Sequence, residues 1–311
     1  MRPELEKPKI IIIAGPTGIG KTHVAIRIAQ RFGAEIINAD SMQVYRFMNI
    51  GTAKPTPKEQ ESVKHHLIDN IDPDQPFDAV RFSDMAGKII GRLIEKKILP
   101  LVVGGTGLYI KALVHGLFRE DSSDPEIRKQ LHQIAETRGA EHLYQNLKQI
   151  DPVTADRLHP NDTFRIIRAL EVYRVTGAPL AHFHDTHRFS GHRYRTLKIG
   201  LDMDRKLLYD RINDRVEAMM GEGLVAEVKQ LLAMGYSTAF KSMQSIGYRH
   251  MADFIDGRLE WDQALDAMKR DTRRYAKRQL TWFRKDPEMI WFHPDQLDEM
   301  SIRIGAFLTQ Q

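Results

Sequence analysis

Eight residues constrain this chain more than any others: Gly15-Pro16-Thr17-Gly18-Ile19-Gly20-Lys21-Thr22. They match G-x-x-x-x-G-K-[ST] without a gap. The apolar run Ile10 to Ala14 before them reads as a buried parallel strand, and Val24, Ala25, Ile28 and Ala29 after them fall at helical spacing. Strand, loop and helix in that order are the context the motif requires. The three glycines let the backbone curl so that several N–H groups point inward, and the helix N-terminus adds partial positive charge. Lys21 contributes a full charge and Thr22 a hydroxyl suited to Mg2+. The expectation is a polyphosphate site at the edge of an α/β sheet. The motif alone does not say whether the ligand is a nucleotide.

Other features narrow the class. There is no cysteine among 311 residues, which excludes disulfides, thiolate zinc sites and cysteine nucleophiles and fits a cytoplasmic protein. No apolar run approaches the ~20 residues of a membrane span, and the charged start MRPELEKPK does not resemble a signal peptide. A net charge of +5 suggests an anionic partner larger than one phosphate ester.

Taken in order, Ala34 to Ala39 reads as a second strand ending at Asp40-Ser41. Ligands of open α/β sheets gather at the carboxyl ends of strands, so Asp40 is expected to face the loop from a neighbouring strand; a plain helix cap or turn is the other role for such an aspartate. Residues 56–66 read as a polar helix, within which adjacent His65 and His66 cannot face one ligand, so a structural or surface role is favoured over metal. Residues 77–97 carry helical periodicity. Leu99 to Thr106 reads as a third buried strand, ending in Gly104-Gly105-Thr106 where phosphate-loop nucleotidases usually place an aspartate. Those glycines serve either close ligand approach or an ordinary strand-to-helix turn.

Between 121 and 195 sheet-like runs give way to helical patterns at 125–138, 139–149 and 161–175. Arg165 and Arg168 share a helix face there beside Phe164. His182, His184, His187 and His192 lie in an arginine-rich stretch without metal-ligand spacing. A strand returns at Leu197, then helices over 205–220 and 225–233, a turn at Ser242 to Arg249, and a helix from Leu265 to Arg284. On that last helix Lys269, Arg273 and Lys277 form one column and Arg270, Arg274 and Arg278 the next. Like charges at this spacing repel, so the stripe reads as a surface for an anionic partner. A short strand at Met289 to Phe292 and a closing helix complete the chain.

The segments GPTGIGKT, DSMQVYRFMNIGTAKP, LPLVVGGTGLYIKALV, HPNDTFRIIRALEVYRVTG, SIGYRHM and RRYAKRQLTWFRK, in this order, resemble the tRNA dimethylallyltransferases, also called tRNA isopentenyltransferases. The resemblance spans essentially the whole chain. Gly18 stands where that family usually has alanine, and Asn49 where it usually has aspartate. Without cysteines the chain cannot carry the zinc finger of cytosolic eukaryotic members and looks like the bacterial form.

The resemblance implies a phosphate-loop NTPase-like parallel-sheet core over 1–120 and 196–311, with a helical insertion over 121–195 that grips the tRNA anticodon stem-loop. It implies transfer of a dimethylallyl group from dimethylallyl diphosphate to N6 of the adenosine 3′ of the anticodon. The loop, Gly15 to Thr22, then cradles a diphosphate leaving group rather than ATP, with Mg2+ near Thr22. Asp40 is the implied general base, Thr106 an aligning group, and Lys21 with Arg211 the stabilisers of the leaving group. Implied RNA contacts are Asp40, Ser41, Met42, Gln43, Thr106, Arg128, Phe164, Arg165, Ile166, Ile167, Arg168, Gln244, Ser245, Ile246, Gly247, Tyr248 and Arg249. A monomer is expected. Two other classes explain part of this pattern. A small-molecule kinase accounts for Lys21, Thr22 and Asp40 but not for the basic stripe or Gly104-Gly105-Thr106. An RNA-binding ATPase accounts for the stripe but lacks a group to position water.

Overall fold

The computed structural model describes residues 7–116, 124–187 and 193–310. Residues 1–114 with 193–311 make one compact unit, and 115–192 make a second. The expected boundary at 120/121 lies outside the described residues, as does His192. At the other boundary the expectation is corrected: Arg195 opens a strand of the first unit, its N–H donating to Pro8 O at 2.9 Å.

The first unit is built on six parallel strands: β1 (Lys9–Ala14), β2 (Ala34–Asn38), β3 (His65–His66), β4 (Leu99–Gly104), β5 (Arg195–Leu201) and β6 (Met289–Phe292), in the spatial order β3-β2-β4-β1-β5-β6. β1 is central because its sequence permits nothing else. Ile10 to Ile13 are 0% exposed, and each isoleucine taken from water is worth roughly 1.5–3 kcal/mol, which requires cover on both faces. Ile11 and Ile13 pack with Val24, Ala25, Ile28 and Ala29 of the helix Lys21–Phe32 and with Met300 and Ile304 of the closing helix Leu297–Thr309. The alternation of strand side chains sends Ile10 and Ile12 to the opposite face. The helix Ala79–Glu95 packs on β4 and β2, and Asp78 caps it by accepting from Arg81 N–H.

Two expectations change here. The helix expected over 56–66 stops at Ser62. Val63 is extended and buried, and His65–His66 become edge strand β3, pairing with Ile36 and Ile37. His66 sits 2.6 Å from Glu35 Oε2, and the His65 ring is 2.8 Å from Val63 O. Further, β2 is not next to β1: β4 lies between them, so two inter-strand spacings, about 10 Å, separate their ends.

The second unit has its own core of Leu131, Leu143, Leu147, Ile166, Ile167 and Leu170, drawn from the helices Pro125–Arg138, Ala140–Ile150 and Thr163–Thr176. Glu171 is fully buried in it. Its carboxylate accepts from Asp124 N–H at 3.0 Å, Arg128 at 2.9 Å and Arg168 at 2.9 Å. Burial alone would raise its pKa, but the donors from Arg168, Arg128 and Asp124 outweigh that and hold it below the usual value.

Candidate active site

A cavity of about 670 Å3 opens at the carboxyl ends of the strands of the first unit. The loop between β1 and its helix forms one wall. Gly18 and Gly20 have φ of +81° and +99°, a left-handed geometry that only glycine adopts without strain. At Gly18 a side chain would also meet Ile212 at 2.8 Å. Thr17, Gly18, Gly20, Lys21 and Thr22 line the cavity, whereas the Ile19 side chain turns away into the core. Lys21 donates its ammonium to Gly15 O at 3.0 Å and Pro16 O at 2.8 Å. Burial lowers its pKa to about 8, partly offset by the attraction of Asp40, while Arg215 pushes it further down.

Asp40 reaches this loop despite the intervening strand because residues 39–41 cross the end of β4. Ala39 N–H donates to Val103 O at 2.7 Å, and Thr106 N–H to Ala39 O at 3.3 Å. The crossing is possible only over glycine: a Cβ on Gly104 would stand 2.2 Å from Ala39 O. Met42 N–H donates to Asp40 Oδ1 at 2.8 Å, and Ser41 N–H to Thr106 Oγ1 at 3.1 Å. Those two bonds set the direction of the Asp40 carboxylate and bring it into the cavity that Lys21 lines. Gln43 donates to Thr52 O at 3.1 Å and Ala53 O at 3.0 Å, which pins the next cavity wall, Gly51 to Pro55.

Two helices close the far side. Arg211 and Arg215, one turn apart on the helix Arg205–Gly221, both line the cavity, and an Arg211 guanidinium nitrogen lies 3.5 Å from where Gly20 would carry a Cβ. Burial draws Arg215 below the usual arginine pKa against the pull of Asp40 and Glu222. From the helix Trp261–Phe283, Met268, Thr272, Tyr275 and Gln279 point inward at spacings of four, three and four. The Tyr275 hydroxyl is hydrogen-bonded with Thr106, and burial with the nearby Asp40 carboxylate raises its pKa. Gln279 is 5% exposed; it accepts from Thr17 N–H and donates to Gly105 O, both at 2.9 Å.

Arg215, Tyr275 and Gln279 were not singled out as site residues by sequence. A polar residue one turn from Tyr275 on the inward stripe was the available signal for Gln279, and the i, i+4 spacing from Arg211 was the signal for Arg215. Glu227 was also unmarked. It accepts from the backbone N–H groups of Asn49, Ile50 and Gly51 at 3.0, 2.9 and 3.3 Å and from the Tyr248 hydroxyl at 2.6 Å, holding the 49–51 turn in place.

The expected RNA-contact residues divide. Ser41, Met42, Gln43, Gln244, Ser245 and Ile246 line the cavity. In the second unit, Phe164 is 77% exposed and Arg165 is exposed beside Asp162 at 2.8 Å. Three side chains are corrected. Ile166 and Ile167 are 0% and 2% exposed inside the helical core, and Tyr248 is 0% exposed, its ring occupying the space a side chain at Gly51 would need. They support the surface rather than form it. Gly247 is buried as well, and its φ of +94° makes the turn into the helix Tyr248–Ile255. Arg128 and Arg168 bond Glu171, and Arg249 bonds Asp271. The basic stripe is likewise partly committed to the protein: Lys269 pairs with Glu217, Arg273 donates to Asn213 Oδ1 at 2.6 Å, and Arg270 and Arg274 lie 3.6 and 3.7 Å from Asp271. Lys277 and Arg278 are exposed.

The parallel sheet with its phosphate loop, and a cavity lined by cations and by Asp40, place the molecule in the α/β class of phosphate-loop proteins. The family model described as "IPP transferase" matches residues 43–286. A protein named tRNA dimethylallyltransferase from Desulfosudis oleivorans is 50% identical, covering 97% of this chain and 96% of its own length. The structure of the full-length tRNA isopentenylpyrophosphate transferase from Bacillus halodurans has 41% identity and a TM-score of 0.73, covering 97% of each chain. A eukaryotic dimethylallyltransferase, solved in snapshots of its action on tRNA, has 29% identity and a TM-score of 0.80, with 96% of this chain and 77% of that one covered. The chain belongs to the IPP transferase family and is a prenyltransferase of the tRNA dimethylallyltransferase type. Among the described residues no helix is long and apolar enough to cross a membrane.

Proposed function

We propose that the enzyme, working as a monomer, transfers a dimethylallyl group from dimethylallyl diphosphate to N6 of the adenosine immediately 3′ of the anticodon in tRNA. The observation that carries this reading is the meeting of a phosphate loop, two arginines and the Asp40 carboxylate in one cavity. The N6 lone pair attacks C1 of the dimethylallyl group. The C1–O bond breaks, and its electron pair leaves with the diphosphate. Lys21, Arg211 and Arg215 neutralise charge that grows on the departing oxygens. The N6 proton passes to Asp40; an adenine amine becomes acidic only as the new C–N bond forms, so a weak base suffices. Thr106 aligns Asp40 through the Ser41 backbone. Val216, Met219 and Met268 supply the apolar wall for the dimethylallyl tail.

A magnesium ion fits the donor set. It prefers oxygen ligands and shares them with substrate phosphates, and Thr22 with the diphosphate oxygens offers such a shell. When bound it adds charge stabilisation at the leaving group. The adenine must leave the anticodon-loop stack to reach Asp40, at a cost of a few kcal/mol or less. Exposed Phe164 and Arg165, on the insertion, are suited to stacking on bases and pairing with phosphates, and Ser41 to Gln43 with Gln244 to Ile246 to receiving the turned-out base.

The test supplies bulk tRNA with dimethylallyl diphosphate labelled in the alkyl group, or with ATP labelled in its terminal phosphate. Alkyl label on N6 of one anticodon-loop adenosine is expected, with no phosphate transfer. Movement of the phosphate label, or alkylation elsewhere, refutes the reading.

A further inference from the structure

We propose that Gln279 is the residue that makes the phosphate loop select a diphosphate against a triphosphate, by occupying the Thr17 N–H with its own side-chain oxygen. The inference rests on the diphosphate reading of the loop given above and deepens it.

The orientation of the Gln279 amide is not ambiguous. Thr17 N–H can only donate and Gly105 O can only accept, so Oε1 faces Thr17 and Nε2 faces Gly105. The group is wedged in place as well as bonded: it is 5% exposed, and a Cβ on Gly105 would lie 2.2 Å from Nε2 and 3.4 Å from Gly15 O. The amide therefore fills the gap between the phosphate loop and the turn that follows β4.

Phosphate loops bind by directing successive backbone N–H groups at phosphate oxygens, with the lysine reaching the outer phosphates. Thr17 is the third residue of the eight-residue loop, and here its N–H is spent on the protein. The loop is left with the amides from Gly18 to Thr22, turned by the left-handed Gly18 and Gly20, and with Lys21. A further phosphate seeking Thr17 would bring its oxygens against Oε1, lone pair to lone pair. Admitting it means breaking two hydrogen bonds of a buried amide, which would weaken binding about ten- to a hundredfold at ordinary hydrogen-bond strengths. Such a device matters in a cell, where nucleoside triphosphates compete for any phosphate loop. Gln279 is a specificity-determining residue on this account; it touches the loop and need not touch the reacting atoms.

The experiment compares binding of dimethylallyl diphosphate and dimethylallyl triphosphate by calorimetry, at one fixed free magnesium concentration, to the full chain and to Gln279→Met, Gln279→Ala and Gln279→Glu. The wild-type chain should prefer the diphosphate by about tenfold or more. Gln279→Met and Gln279→Ala free the Thr17 N–H and should shrink that preference by about tenfold, chiefly through tighter triphosphate binding. Gln279→Glu keeps an acceptor at Thr17 and should retain or widen the preference; retention there beside loss in Gln279→Met, a side chain of similar length, is a contrast that a purely packing role would not produce. A wild-type chain that binds both ligands equally overturns the proposal with no variant needed. So does a preference unchanged in folded Gln279→Met or Gln279→Ala, or one lost equally in all three variants. If dimethylallyl diphosphate does not bind the wild type at all, the diphosphate reading itself fails, a result distinct from these.

Discussion

Productive binding of dimethylallyl diphosphate should fall off on the alkaline side at a pH set by Lys21. The ammonium begins from an ordinary value of 10.5 and is brought to about 8 by burial, with Asp40 opposing and Arg215 adding to the fall. The cation is the form that binds phosphate, so raising the pH through about 8 removes it. With that pKa, about nine-tenths of the free enzyme is competent at pH 7 and about one-tenth at pH 9. Above pH 8, kcat/KM for dimethylallyl diphosphate should therefore drop about tenfold per pH unit. The bound diphosphate restores the proton to Lys21, so binding at pH 8 should take up about half a proton. Calorimetry in buffers of different ionisation enthalpy measures that uptake, and initial rates from pH 7 to 10 give the limb. In Lys21→Arg the guanidinium does not titrate in this range, so whatever activity survives should lose the limb. A flat profile from pH 7 to 9.5 with no proton uptake would refute the reasoning, and so would an unchanged limb in Lys21→Arg.

Asp40→Asn keeps size and the bond from Met42 but not the proton acceptor; single-turnover transfer with tRNA pre-bound should slow by about 10²–10⁴ while both substrates still bind, and a near-normal rate would place the base elsewhere. Gly104→Ala sets a Cβ 2.2 Å from Ala39 O, where backbone cannot yield, and should cost about 1–3 kcal/mol together with most of kcat as Asp40 shifts. Gly91→Ala, where nothing lies within 4 Å in mid-helix, should be neutral or stabilise by up to about 1 kcal/mol, which thermal melts will separate from the first. Glu171→Gln should destabilise the insertion by about 1–3 kcal/mol, seen as faster amide exchange across residues 124–187. Because the folded pKa of Glu171 is depressed, the stability it confers is present above the unfolded carboxylate value and fades as pH falls through the folded one, a decline that Glu171→Gln should flatten. Arg165→Ala should weaken binding to all substrate tRNAs alike and reduce the slope of log K against log salt by a little under one unit; an unchanged slope would assign Arg165 to its Asp162 pair alone.

Local chemistry made several parts of this protein legible without coordinates. Four consecutive isoleucines, a glycine-rich loop with Lys21-Thr22, and apolar residues at helical spacing specify strand, loop and helix by short-range rules, and the same rules separate the helical stretch after 121 from the sheet. Strand order was not written that way. Parallel strands are joined by long crossovers, and nothing near β1 or β2 in sequence says that β4 will enter between them. Only the packed sheet shows that Asp40 arrives by crossing over Gly104. Burial was equally a tertiary outcome: Ile166, Ile167 and Tyr248 sit in motifs whose neighbours face the cavity or solvent, and the face each takes depends on helices far away in the chain. The assignment of cations was decided there too, since Lys269 and Arg273 look free until the helix Arg205–Gly221 brings Glu217 and Asn213 beside them. Gln279 is the clearest case. Its type and position were visible, but its partners, Thr17 and Gly105, are 262 and 174 residues away. Sequence specifies what each residue can donate or accept; which donor meets which acceptor is settled only when the sheet and the long helix close on one another.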